Sequence, residues 1–173
     1  MATNDILLGA TRTSSNLTIS LATGPLASDA NLLAGRNSTL VDNTTNKFPD
    51  YIFAGFITTG TSPTVGTTIE VWAYGTHDDA YTLPDGITSS DANKTLTSIN
   101  TKNSGLVLLH VITVTATTAV KYDISPRSLR AAFGGVLPKK FGIFVVHNTG
   151  VALNSSAGNH QLTITPDFMN LSS

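Results

Sequence analysis

Apolar and polar residues alternate with a period of two along most of the chain, and the 3.6-residue period of an amphipathic helix is nearly absent. Leu17, Ile19 and Leu21 alternate with Asn16, Thr18 and Ser20, which predicts a half-buried strand ended by Gly24-Pro25. Residues 32–41 predict a weaker strand. Residues 51–57 and 68–74 predict strong strands, and TTGTSPTVGT between them has the glycine and proline content of a hairpin loop. Residues 106–116 and 119–124 predict another strand pair, and 141–147 with 159–165 a last one around NTGVALNSSAG. The one helix signal is SPRSLRAAFGG: Ser125 as cap, Pro126 at the first helical position, Leu129, Ala132 and Phe133 on one face, and Gly134 at the left-handed end. Residues 75–105, polar and holding Pro84 and Asp85-Gly86, predict a long surface loop with a short strand at 95–99. About eight strands and one short helix predict an all-β fold, a single-domain antiparallel β-sandwich of jelly-roll type. Residues 1–15 would be an N-terminal arm and 16–173 the sandwich, with the long loop at about 75–105.

Three strands break the simple alternation. YIFAGFI, LVLLHVI and FGIFVV are apolar on both faces. A sandwich strand needs only one apolar face, so the outer face of these strands needs a cover. The long loop and the helix of the same chain would supply it, or else a second subunit would.

Composition narrows the chemistry. The chain has 173 residues, only 12% of them charged, and a net charge of -1, so its surface is wetted by Thr, Ser and Asn rather than by charge. The ten Lys and Arg residues are scattered, with only Lys139 and Lys140 adjacent, and no footprint for nucleic acid is visible. With no cysteine there are no disulfides or thiolate metal sites. No apolar run of about eighteen residues is available to span a bilayer. Residues 1–15 lack the basic and apolar regions of a secretory signal, so the expectation is a chain made in the cytoplasm. The N-x-S/T stretches beginning at Asn16, Asn37, Asn43, Asn93, Asn154 and Asn170 therefore carry no implication of glycosylation.

Catalytic and metal constellations are missing from the pattern. There is no G-x-S-x-G elbow, and His77, His110, His147 and His160 belong to no catalytic motif. His110 reads as a core or interface histidine with one satisfied nitrogen, and His147 and His160 as neighbours across a hairpin. Two imidazoles without a third ligand make a poor zinc site. Asp78, Asp79, Asp85 and Asp91 gather in the long loop, but their spacing matches no calcium loop. Glu70 is the only glutamate, and glycoside hydrolysis would need a second carboxylate at a set separation. The expectation is a protein that is not an enzyme and needs no cofactor or metal. Glu70, Trp72 and Tyr74, on one strand beside the 75–105 loop, form an alternative platform for carbohydrate.

The blocks LLAGRNSTLVDNTTN, ITTGTSPT, IEVW and LPKKFGIFVVHNTG, in this order, resemble a set of small virion structural proteins of tailed bacteriophages. The resemblance covers most of residues 30–75 and 125–162. It implies a β-sandwich subunit on the particle, of the head decoration or cement type. Its partners would be copies of itself, with a homotrimer favoured, and the major capsid protein. Two departures stand out: Asn37 replaces an expected acidic residue, and Phe48-Pro49 replaces a Leu or Tyr strand start. On this reading Arg36, Asn37, Asp42 and Asn43 are candidate assembly contacts that fix backbone or a neighbouring subunit, and the arm 1–15 orders on a neighbour. The alternative reading is a tail or baseplate module that binds host-surface carbohydrate on Glu70, Trp72 and Tyr74.

Overall fold

A computed structural model describes residues 13–78, 83–156 and 158–167, together with the backbone of 6–8 and 169–171. The strands are β1 (Ile6–Leu8), β2 (Ser15–Asn16), β3 (Ala34–Asn37), β4 (Val41–Asp42), β5 (Asp50–Thr58), β6 (Thr68–Thr76), β7 (Ala92–Thr95), β8 (Val107–Thr113), β9 (Lys121–Ser128), β10 (Lys140–His147), β11 (His160–Asp167) and β12 (Met169–Leu171). Two short helices, α1 (Ile99–Gly105) and α2 (Leu129–Ala132), and a 3-10 turn at Pro84–Gly86 complete the chain.

One sheet runs β2-β11-β5-β9 and the other β7-β3-β10-β6-β8, all neighbours antiparallel, with β4 pairing the same strand, β10, as β3 does. Setting aside the short β4 and β7 and the terminal strands, eight strands remain. In chain order the sheets read first-eighth-third-sixth and second-seventh-fourth-fifth. This is the jelly-roll order, and the all-β antiparallel sandwich of the sequence is the fold observed.

The strand positions follow the period-two pattern, but the pairing does not follow sequence neighbourhood. The expected hairpin of 51–57 with 68–74 does not form: β5 pairs β9 and β11, whereas β6 pairs β8 and β10. Likewise β8 does not pair β9, nor β10 β11. Each of these connections crosses from one sheet to the other. The reason is in the side chains: Tyr51, Phe53 and Ile57 of β5 and Ile69, Val71 and Ala73 of β6 face one another across a single core with Phe141, Ile143 and Val145 of β10. Burying a Phe, Ile or Val side chain contributes about 1.5–3 kcal/mol, which favours stacking these faces over laying them side by side.

Other expectations are corrected at element level. Leu17 and Leu21 are buried, yet the strand there is only Ser15–Asn16. Residues 32–41 are two strands broken at Ser38, whose hydroxyl accepts from Ile143 N at 3.0 Å. The helix starts later than predicted: Ser128, not Ser125, caps it, accepting from Ala131 N at 3.0 Å. Pro126 sits instead within β9, which tolerates it because β9 is an edge strand.

The largest correction concerns 75–105. This segment is not a plain loop: it holds the 3-10 turn, β7 added to the outer edge of β3, and α1. It lies over the outer face of the six-stranded sheet, where Leu83, Ile87, Leu96 and Leu106 form a second core with Trp72, Tyr74, Phe144 and Val146. The cover for β10, buried along its whole length, is thus the same chain. Gly142 makes room within this layer: a Cβ there would lie 2.5 Å from Cζ of Tyr74. On the opposite sheet the outward Ile52, Ala54 and Phe56 of β5 stay half-buried, with Lys121 Nζ 4.2 Å over the Phe56 ring. β1 and β12, the two ends of the chain, pair with each other as a separate ribbon of three residue pairs.

Candidate functional site

The residues picked out around Arg36 hold the outer segment down. Arg36 Nε donates to Asp91 Oδ1 at 2.5 Å, and Asp91 Oδ2 also accepts from Ser20 N (3.0 Å) and Ser20 Oγ (2.5 Å). Burial pushes the Asp91 carboxyl up, but the Arg36 guanidinium and the Ser20 donors outweigh it and hold the group below the usual carboxylate range. Asn37 is completely buried and donates from Nδ2 to the carbonyls of Ser38, Thr88 and Ser90. Together they tie residues 88–93 to β3. Asn43 makes a two-way clamp, donating to Phe48 O and accepting from Phe48 N, both at 2.9 Å. It borders a cavity of about 490 Å³ lined by Thr44, Lys47, Phe48, Leu137 and Lys139. Asp42 accepts from Thr44 N and Oγ1, which lower its pKa, and lies 3.8 Å from Lys140 Nζ. Of the four candidates, Asp42 alone presents a largely exposed side chain.

Arg36→Ala is expected to cost about 1.5–3 kcal/mol, the range for a hydrogen bond to a charged group, and to raise amide exchange across 88–95. A loss of association with unchanged exchange would assign Arg36 to a subunit contact instead.

Glu70, Trp72 and Tyr74 share the outer face of β6, but beneath the covering segment. Trp72 is only 7% exposed and Tyr74 not at all. Glu70 Oε2 accepts from Trp72 Nε1 at 2.9 Å and from Lys102 Nζ at 2.8 Å. Lys102, on α1, also donates to Leu32 O at 2.8 Å and sits 5.0 Å from the Trp72 ring centre. Tyr74 Oη donates to Ser38 O, and burial pushes its pKa up to about 12. The aromatic faces that a sugar would stack on are therefore occupied by the protein itself.

The titratable groups outside this network are also engaged. His147 and His160 interact, though from opposite sheets rather than across a hairpin. His147 Nε2 donates to Leu26 O at 2.9 Å, and His160 Nε2 to Asn154 O at 2.7 Å. Burial lowers the pKa of both. His110 Nδ1 accepts from Arg127 at 3.1 Å. Asp85 accepts from Thr97 N and Oγ1, so it and Asp91 serve different anchors rather than one ion; Asp79 lies outside the described residues. Among the described residues no group of three or more His, Asp or Glu side chains could hold a metal, and no helix is long and apolar enough to cross a membrane.

What remains open is β8. It is the last strand of its sheet, seven residues without a charged side chain or proline, and it exposes Leu108 (46%) and Val111 (41%). A register shift between Val71 and Trp72 leaves Leu109 as an extra residue, so that Leu108 opposite Trp72 and Val111 opposite Glu70 reach the same outer face. Around the edge a groove of about 350 Å³ runs toward β9 and α2. The two-sided apolar run was visible in the sequence; that it lies at an edge was not. No protein-family model matches the chain, and neither a characterised protein nor a solved structure matches it.

Proposed function

We propose that this chain is a non-enzymatic structural subunit of a tailed-bacteriophage virion, a decoration subunit that joins copies of itself and binds the major capsid protein on the head. The particle is suggested by the sequence blocks that resemble phage virion proteins, and the mode of action by one observation. β8 is an unguarded edge, apolar, uncharged and with Leu108 and Val111 exposed. Natural sheets guard their edges with lysine, proline or short strands, and an unguarded edge invites pairing. The other edges carry guards: β7 has Lys94 and β9 has Lys121, Pro126 and Arg127, while β2 is two residues long.

The acidic and aromatic groups that an enzyme or a sugar platform would use are instead committed to holding residues 83–106 on the sheet. Many subunits, each burying surface on the assembled head and not on free capsid protein, would stabilise the head by mass action. Neither nucleic acid nor a membrane is part of this reading.

Cryo-EM of the parent particle tests it: regular copies on the head are expected, and copies confined to the tail tip would sink the proposal. Leu108→Lys, at an exposed position, should leave the fold intact yet weaken assembly at least about tenfold, because a charge must be desolvated at the contact.

A further inference from the structure

β8 and β9 end their two sheets on the same side of the sandwich, and no strand pairs their outward edges. The groove between them is lined by Leu108, Leu109, Ala131, Ala132, Ser128 and Arg127. Arg127 gives the groove its sign. Its guanidinium donates to His110 Nδ1, a neutral acceptor, and no carboxylate partners it among the described residues. An occupant that fits must be extended, to use the β8 edge, apolar, to cover the exposed Leu108, and acidic, to meet Arg127.

The chain carries such a segment. Residues 1–12 read MATNDILLGATR, in which Asp5, the one carboxylate, directly precedes the apolar triplet Ile6-Leu7-Leu8. Those three residues already adopt strand conformation as β1, yet they pair only with β12, in a ribbon of three residue pairs. A two-stranded ribbon of this length is marginal in water by itself, so its strands gain by joining a larger sheet. Resting on the assembly reading above, we propose that the β8–β9 groove binds the N-terminal segment, residues 1–12, of a second copy of this chain, with Ile6–Leu8 added to the β8 edge and Asp5 meeting Arg127.

The topology also separates donor from acceptor. The segment leads into β2, at the opposite end of the four-stranded sheet from β9. Donor and acceptor are different surfaces, so the exchange is either reciprocal between two copies or head-to-tail, closing as a ring or running on as a filament. Twelve extended residues span roughly 40 Å, and the homotrimer that the resemblance favours is the closed ring adopted here.

The full-length chain tests this by light scattering and by binding to heads that lack the protein. Wild type is expected as a trimer. Asp5→Arg and Arg127→Asp should each weaken trimer formation at least about tenfold, and combining them should restore it. Single variants that assemble like wild type, or a combination that restores nothing, overturn the proposal. The two readings fail separately: wild type bound regularly to heads with assembly indifferent to the swap removes the groove assignment alone. A swap-restored trimer that never binds heads removes the decoration role alone.

Discussion

Glu70→Ala is expected to destabilise the protein by about 3 kcal/mol, more than its own contacts would suggest, because of what it leaves behind. Lys102 is 1% exposed and its ammonium has three neighbours: Glu70 Oε2, Leu32 O and the Trp72 ring. Remove the carboxylate and a buried cation keeps one neutral carbonyl and a ring face, while the Trp72 indole loses its acceptor. Breaking such a pair costs far more than deleting it whole, so Glu70→Leu combined with Lys102→Met should return most of the loss. Urea midpoints of the single and double variants give the coupling directly. A loss under about 1 kcal/mol for Glu70→Ala would mean that Lys102 reaches water when unpaired, as surface pairs do. Amide exchange should rise first in 99–105, because Lys102 is the buried residue by which α1 is held.

The same pair marks where the sequence stops being legible. Strand positions could be read because each long strand carries its own period-two record: Tyr51, Phe53 and Ile57 share one face in the sequence pattern, and that face lines the core in the structure. Partners could not be read, because inward faces are alike. Residues 51–57 and 68–74 suit a hairpin or two stacked sheets equally well, and only the competition among all the strands for one core decides. The helix α1, INTKNSG, has no apolar stripe at all, and its burial depends on a carboxylate 32 residues away. Similarly Arg36 was singled out as a fixing charge, but its acceptor Asp91 lies 55 residues on, inside what reads as loop. The polar content of 75–105 conceals that Leu83, Ile87 and Leu96 within it, with Leu106 just after it, are spaced to roof a sheet rather than to follow a helix or strand period.

Stability should fall on acidification well before the carboxylates titrate. His147 is completely buried, with Nε2–H given to Leu26 O and Nδ1 facing the Thr149 hydroxyl at 3.0 Å. Burial, and next to it the neighbouring His160, keeps the imidazole neutral below its usual 6.5. His160 and His110 are shifted the same way, each first by burial. Above pH 6.5 these rings are neutral in the folded and the unfolded chain, and they contribute no slope. Below it the unfolded chain binds protons first, so stability declines by up to about 1.4 kcal/mol per pH unit for each ring that stays neutral. His147 should approach that limit, and the half-buried rings fall short of it. The decline continues until the folded-state values are reached. A second loss then follows below pH 3.8, where protonation removes the stabilisation of Asp85, Asp91 and Asp29, all held below the usual carboxylate range. On the alkaline side Tyr74, ionising only near 12 in the fold, withdraws stability as the unfolded phenol ionises above pH 10. Urea midpoints measured from pH 4 to 11 should therefore trace a plateau between two falling limbs. His147→Gln keeps an N–H donor for Leu26 O but cannot titrate, so it should flatten the acid limb just below pH 6.5. If that variant retains the wild-type slope, the proton is taken up elsewhere, and His160 becomes the group to replace next.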